Sequence, residues 1–429
     1  MGHRAAALVT LLVLGGALVV TIAVTTPWRP LAGGTAAAPE VHADFTDDEV
    51  AREVEFHRQA RPWGLAGLGV SLLAGGFIAL SGLGSRSVGA VDRATGGRWP
   101  VTVVVGALAL SVAIRLVRLP FSARVEVARR RFGLSTQDWG SWSVDVAKGV
   151  GVTAALLVVV LLALVGVARR SPGLWWAWSA PAAALLVVVV SFAYPVVVEP
   201  VFNRFEPLGQ GALRESLLDL ARRDGIAVDD VLVADASRRT TALNAYVSGL
   251  GATRRIVVYD TLVEQATPAE VRLVVAHELG HVAEDDVRDG TLTGALAAAT
   301  AMPLLFLMLS STWLLGRSGV EGVGDPRSIA LVAFAITAVA TVAGPVEALV
   351  SRRVEARADL HSLELTGDAE TFVASERRLA ITNLSDLEPN PVLHALFASH
   401  PSPPERIALA RAWARRAGRP VPAPLAPSR

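Results

Sequence analysis

The sequence contains no cysteine. Disulfides, thiolate metal ligands and a cysteine nucleophile are therefore excluded, and any bound metal must rest on histidine and carboxylate. Charge is scarce as well: 18% of the 429 residues are charged, against about 25% in an ordinary soluble domain. The formal net charge of +1 leaves no strong global field that would favour nucleic acid or an acidic polymer as partner. No internal repeat is found. Apolar residues, by contrast, make up 52% of the chain. Length alone would fit two or three soluble domains, but this composition points to a helical membrane bundle carrying an inserted or appended soluble part.

Apolar stretches long enough to cross a hydrocarbon core occur at about 5–26, 64–83, 100–118, 149–168, 174–198, 291–315 and 329–350, which predicts about seven spans. The first follows Arg4 and precedes small residues at 35–38, the pattern of a cleaved signal peptide; its apolar core is longer than such a leader uses, so it is read as a retained span. Residues 44–61 form a charged stretch read as a solvated surface helix. The basic run ending in Arg129-Arg130-Arg131 directly follows a span and is read as an orientation signal, not a nucleic-acid patch.

The chain therefore divides into a membrane region with five spans (1–198), a soluble part (199–290), two further spans (291–350), a C-terminal soluble part (351–417) and a Pro-rich tail expected to be disordered (418–429). Within the soluble part, 213–224 reads as an amphipathic helix, 230–234 and 255–259 as strands, and 249–253 as a turn. Alternation across seven spans puts 27–63, 119–148, 199–290 and the C-terminus on one side. Arginine and lysine counts near the span ends make that side cytoplasmic.

The chemistry centres on His277-Glu278-Leu279-Gly280-His281. On a helix, residues four apart share a face, so both imidazoles can meet one tetrahedral metal, and Glu278 beside them can take a proton from a metal-activated water and pass it to the leaving amine. The pentapeptide alone is as well explained by two surface histidines and a solvated glutamate. Thr267 as N-cap, Pro268 at the first helical position and Glu270 two residues later form a capping box that makes the segment helical. Val271, Val274, Val275, Leu279 and Val282 give it an apolar face, which disfavours exposed histidines. A third ligand is needed, and Glu355, returned to the same side by two spans, is the leading candidate. Asp359, one turn on, can fix the tautomer of a ligand histidine. Salt bridges to Arg352, Arg353 or Arg357 remain the alternative for both carboxylates.

These residues sit in a wider pattern: Leu119-Pro120-Phe121, Arg131-Phe132-Gly133-Leu134, Phe202-Asn203, Asn244-Ala245-Tyr246, Arg255-Ile256-Val257-Val258-Tyr259, the pentapeptide, Ser351-Arg352-Arg353 with Glu355 and Asp359, and Ser399-His400-Pro401 with Arg406. In order and spacing the chain resembles the type I CAAX prenyl protease family of integral membrane zinc endopeptidases, with some similarity to bacterial heat-shock membrane proteases. The resemblance implies one zinc per chain held by His277, His281 and Glu355, with Glu278 as general base and acid and Asp359 supporting a ligand. It further implies that Asn244 contacts the substrate backbone and that His400 stabilises the oxyanion; read from the residues alone, these are a turn residue and a loop residue. Arg406 binds Asp359 or a substrate carboxylate, or makes a plain surface ion pair. Two departures bear on substrate range: Asp286 stands where the eukaryotic pattern has histidine, and Ser402 replaces the second proline of His-Pro-Pro.

The expected protein is mainly α, a polytopic bundle of about seven transmembrane helices with a small α+β zinc metalloprotease domain. It would act on a peptide or protein substrate, lipidated or membrane-embedded, in a membrane whose Ala-, Val- and Arg-rich coding suggests a bacterium. The rival reading is a transporter or channel whose His/Glu pair lines an ion path; a catalytically dead scaffold is the third.

Overall fold

In hydrocarbon a backbone satisfies its own hydrogen bonds only as helix or closed barrel, and every long apolar run here is helical. The computed structural model describes residues 2–31, 39–249 and 254–426. The small residues at 35–38 and most of the turn expected at 249–253 lie outside them. The helices are α1 (His3–Thr25), α2 (Val41–Asp44), α3 (Asp47–Leu80), α4 (Leu83–Ala94), α5 (Trp99–Arg131), α6 (Trp139–Arg170) and α7 (Trp175–Ala193), the last passing through a π-helical turn into α8 (Glu199–Phe202). Then come β1 (Phe205–Pro207), α9 (Ala212–Arg223), β2 (Asp230–Ala234), β3 (Ala245–Ser248), β4 (Arg255–Tyr259), α10 (Asp260–Gln265) and α11 (Pro268–Ala283). The chain ends with α12 (Asp286–Leu309), α13 (Thr312–Ser318), α14 (Ile329–Thr366), α15 (Ala369–Asn383), α16 (Pro391–Phe397) and α17 (Pro403–Arg416). Among the described residues seven helices are long and apolar enough to cross a membrane, α1, α3, α5, α6, α7 with α8, α12 and α14.

The spans pack around Val103, Leu161, Trp175, Trp176, Phe306 and Ile329. The sheet has the order β1-β2-β4-β3, with β2 and β4 parallel and both outer pairs antiparallel, so β3 is an edge strand. Its buried face (Val231, Ile256, Val258) packs with Leu217 and Leu220 of α9 and with Val271, Val275 and Leu279 of α11. A third cluster, Phe45, Leu363, Phe372, Ile407 and Trp413, knits the C-terminal helices to the start of the chain.

Several helices are longer than the hydropathy pattern suggests. The stretch 44–61 is not a separate solvated helix: α3 runs unbroken from its Thr46/Glu49 capping box into the second span, and Val50, Glu53, Phe56 and Ala60 are buried on it. His57 Nε2 lies 3.0 Å from the carbonyl of Leu384, and Arg61 pairs with Asp386. Likewise α14 joins the seventh span to residues 351–366 in one 38-residue rod. The Pro-rich tail, expected to be disordered, is held through residue 426: Arg411 donates to the Pro422 carbonyl at 3.0 Å, Leu425 N–H to Asp44 at 3.2 Å and Ala426 N–H to the Ala43 carbonyl at 3.0 Å. Backbone groups that find partners this way pin a segment whose composition alone predicts none.

Candidate metal centre

The site grows from the start of α11. Thr267 and Glu270 cap it reciprocally, the Thr267 amide donating to Glu270 at 2.7 Å and the Glu270 amide to Thr267 Oγ1 at 3.3 Å. Val271, Val275 and Leu279 are buried against the sheet, which turns the opposite face toward α14. His277 and His281 lie on that face with ring centroids 5.0 Å apart and planes nearly perpendicular.

Glu355 arrives on α14. Its Oε2 is 3.2 Å from His277 Nε2 and its Oε1 3.7 Å from His281 Nε2, and one ligand atom from each of the three residues falls within a 4.8 Å group. Zinc bonds of about 2.0–2.2 Å in a tetrahedron hold ligand atoms roughly 3.3–3.6 Å apart, so this donor set fits such an ion. The close approach of the helices makes the reach possible: a Cβ on Gly280 would stand 3.1 Å from His361 Cβ and 3.3 Å from Ala358 Cα.

Each histidine turns its second nitrogen to a different carboxylate. His277 Nδ1 is 2.9 Å from Asp359 Oδ1, and His281 Nδ1 is 2.9 Å from Asp286 Oδ2. Both contacts favour the tautomer with hydrogen on Nδ1, which leaves Nε2 free toward Glu355. Asp359 is fully buried and receives Arg406, with Nε at 2.9 Å. Arg406 also reaches Glu376 at 2.8 Å. Asp286 accepts from Arg357, which pairs in turn with Glu284 at 3.2 Å. In the metal-free protein burial opposes a charge on His277, but its hydrogen bonds to Asp359 and Glu355 outweigh burial and raise it to about 10. Burial pushes Glu376 up to about 7, against the pull of Arg406.

Glu278 is half-buried and lines a cavity of about 590 Å³ together with His277, Asn244, His400 and Arg406. Burial raises its carboxyl above the usual range, countered in part by the two histidines. Asn244 stands just before edge strand β3 and is exposed. Asn383 clamps the preceding residue, accepting from Leu243 N–H at 2.8 Å and donating to its carbonyl at 3.0 Å. His400 is 59% exposed, with Nε2 3.4 Å from Glu355 Oε2. Of the eight residues singled out from the sequence, Asn244, His277, Glu278, His400 and Arg406 line the cavity; Glu355 lies against His277, His281 and His400, and Asp359 meets His277 and Arg406 in the interior rather than forming a surface pair.

Asp286, Arg357, Glu376 and Asn383 were not assigned a place here from sequence. The one available signal was Asp286, flagged as a departure from a histidine pattern. Arg357 stands out only as an alternative ion-pair partner of Glu355 or Asp359, whereas it pairs with Asp286; nothing local marks Glu376 and Asn383, because their partners lie far away in the chain.

The sequence profile of peptidase family M48 matches residues 207–414, and that of the CAAX prenyl protease N-terminal region, five membrane helices, matches residues 46–204. Over 301 residues the chain is 31% identical to the metalloprotease YhfN of Bacillus subtilis, covering 70% of each protein. It is 30% identical over 306 residues to the CAAX prenyl protease 1 homolog of Arabidopsis thaliana, 68% of this chain and 69% of the relative. With CAAX prenyl protease 1 of Saccharomyces cerevisiae it shares 28% identity over 320 residues, 70% and 69% of the two chains. The crystal structure of S. mikatae Ste24p superposes with a TM-score of 0.77 at 20% identity, over 96% of this chain and 99% of the other, a likeness of fold.

Proposed function

This chain belongs to peptidase family M48 and is an integral membrane metalloendopeptidase, and from that premise we propose that a single zinc ion, held by His277, His281 and Glu355, serves its hydrolysis of peptide bonds. The observation that carries the reading is the convergence of one ligand atom from each of these three side chains, with His277 and Glu278 both facing the cavity. Bound there, zinc supplies a Lewis acid that acidifies water and polarises the scissile carbonyl.

The chain's own residues do the rest. Glu278 takes a proton from the attacking water and delivers it to the departing amine, a task suited to a carboxyl raised by burial. Asp359 and Asp286 hold hydrogen on the Nδ1 atoms and orient both rings. The Asn244 amide donates to the substrate backbone, and His400, across from Glu355, donates to the oxyanion. Arg406 positions Asp359; its guanidinium is committed to Asp359 and Glu376, which leaves it little capacity for a substrate carboxylate. The transporter alternative is disfavoured because His277 and Glu278 ride on α11, outside the spans.

The substrate we propose is a peptide or protein tethered to or embedded in the membrane. The names of the similar proteins support CAAX-type processing; the bacterial style of the sequence supports turnover of membrane proteins. The catalytic side is the cytoplasmic face of a bacterial plasma membrane, in keeping with the arginine-rich ends of the spans on that side. The test is to purify wild type and Glu278→Gln in detergent, measure bound zinc, and assay a prenylated peptide and an unfolded membrane protein. Zinc in both proteins with hydrolysis only by wild type is expected. Equal activity of the two, or no zinc in either, would sink the mechanism, and the cleaved substrate decides between the two substrate classes.

A further inference from the structure

A second cavity, of about 770 Å³, lies at the end of the bundle away from α11, between α4, the first residue of α5, the end of α6, α13 and the turn Pro326–Ser328. Its walls carry five arginines, Arg86, Arg93, Arg169, Arg317 and Arg327, against two aspartates. Both aspartates are already engaged: Asp325 pairs with Arg327 at 2.7 Å, and Asp92 accepts the Thr102 hydroxyl at 2.8 Å. Glu321 and Asp92 are both within electrostatic reach of Arg327, but among the described residues neither forms an ion pair with any of the five.

The remaining arginines are held by neutral groups or by none. Arg169 lies over the Trp99 ring, 5.6 Å from its centroid, and donates to the Gly324 carbonyl at 3.2 Å. Among the described residues Arg86 reaches only the Ser81 carbonyl, at 3.4 Å. Arg93 and Arg317 have no ion-pair partner among the described residues. At Gly89 a Cβ would meet Arg327 Cδ at 3.5 Å and Arg93 Nη1 at 3.7 Å, contacts that bring both arginines against one residue. Gathered guanidinium groups repel one another unless an anion lies between them, and the planar fork of arginine matches the oxygens of phosphate.

We propose that this cavity binds a phosphate group, supplied by the headgroup of an anionic phospholipid in the leaflet away from the catalytic side or by free phosphate. The lipid source has two supports. Three spans end in the cavity wall, at Trp99, Arg169 and Pro326, and Trp99 is a residue typical of the water–hydrocarbon boundary. Basic pockets between transmembrane helices bind such headgroups on the cytoplasmic side of membranes, and the same pairing of arginine with phosphate oxygens is available at the other end of the spans.

The test uses delipidated full-length protein in neutral detergent, titrated separately with phosphatidylglycerol, with phosphatidylcholine of the same chain length and with inorganic phosphate. Phosphatidylglycerol should bind at least about tenfold more tightly than phosphatidylcholine, and the R93Q/R317Q double variant should lose about tenfold or more of that affinity. The R93K/R317K variant keeps the charge without the fork and should lose less; it also preserves the comparison if the glutamine variant misfolds. Phosphate that binds and competes with phosphatidylglycerol confirms a shared site, whereas phosphate binding without lipid preference makes free phosphate the source. Equal binding of the two lipids with no phosphate binding overturns the proposal, as does undiminished phosphatidylglycerol binding by folded variants.

Discussion

His281 and Asp286 are joined at 2.9 Å from Nδ1 to Oδ2, the same separation that joins His277 Nδ1 to Asp359 Oδ1. The two ring-orienting carboxylates differ in depth and in support. Asp359 is fully buried and gripped by Arg406, whereas Asp286 opens α12 and shares Arg357 with the partly exposed Glu284. Both should matter to metal affinity, and not equally. Asp286→Asn should weaken zinc binding about 10-fold and Asp359→Asn nearer 100-fold, the range for removal of such partners. Competition against a chelator of known affinity checks this; unchanged affinity in both variants would refute the orienting role.

The charge on metal-free His277 gives zinc binding a pH dependence. Held to about 10, the imidazole carries its proton at neutral pH. Zinc needs the neutral ring, so its uptake near pH 7 should expel about one proton from this residue, and affinity should rise with pH up to about 10. Calorimetry in buffers of different ionisation enthalpy reports that proton. A binding enthalpy independent of buffer would contradict it.

Arg406 joins Asp359 to Glu376 inside the protein. Arg406→Ala strands two buried carboxyls and should cost about 3–5 kcal/mol, as breaking a buried pair does. Arg406→Lys keeps the charge but cannot span both partners and should fall between. Thermal unfolding in detergent measures the order, and an alanine variant that melts with wild type would exclude a structural bridge.

Gly280 lies where α11 and α14 nearly touch. Gly280→Ala improves helix propensity, yet its methyl group meets His361 Cβ and the Ala358 backbone at 3.1–3.3 Å. Separation of the helices should cost about 1–3 kcal/mol, the usual range for overpacking, and should draw Glu355, one turn before Ala358, away from the histidines. Lower stability together with weaker zinc binding is expected. A variant that gains stability and keeps its zinc would show that the contact is slack.

Much of the site is legible because its geometry is local. Helical periodicity alone brings His277 and His281 to one face, and the Thr267/Glu270 box announces the helix that carries them. Glu355 and Asp359 are readable because an even number of spans must return the chain to the same side, although the ion pairs with neighbouring arginines that competed for them could be settled only by distances. Asp286 is visible but mute: a residue five positions after His281 lies beyond α11, and the chain bends before it at Asp285, which adopts a left-handed φ of 56°.

The sequence by itself determined the membrane spans, the capped helix and the chemical types gathered at the site, since hydropathy, periodicity and capping act over a few neighbouring residues. Tertiary structure alone decided that α3 and α14 continue out of their spans into the catalytic part, that Asn383 clamps the residue before Asn244, that Glu376 anchors Arg406, and that His281 turns to Asp286. Each of those outcomes depends on which surfaces meet at ångström separations, and no pattern within one stretch of chain encodes that.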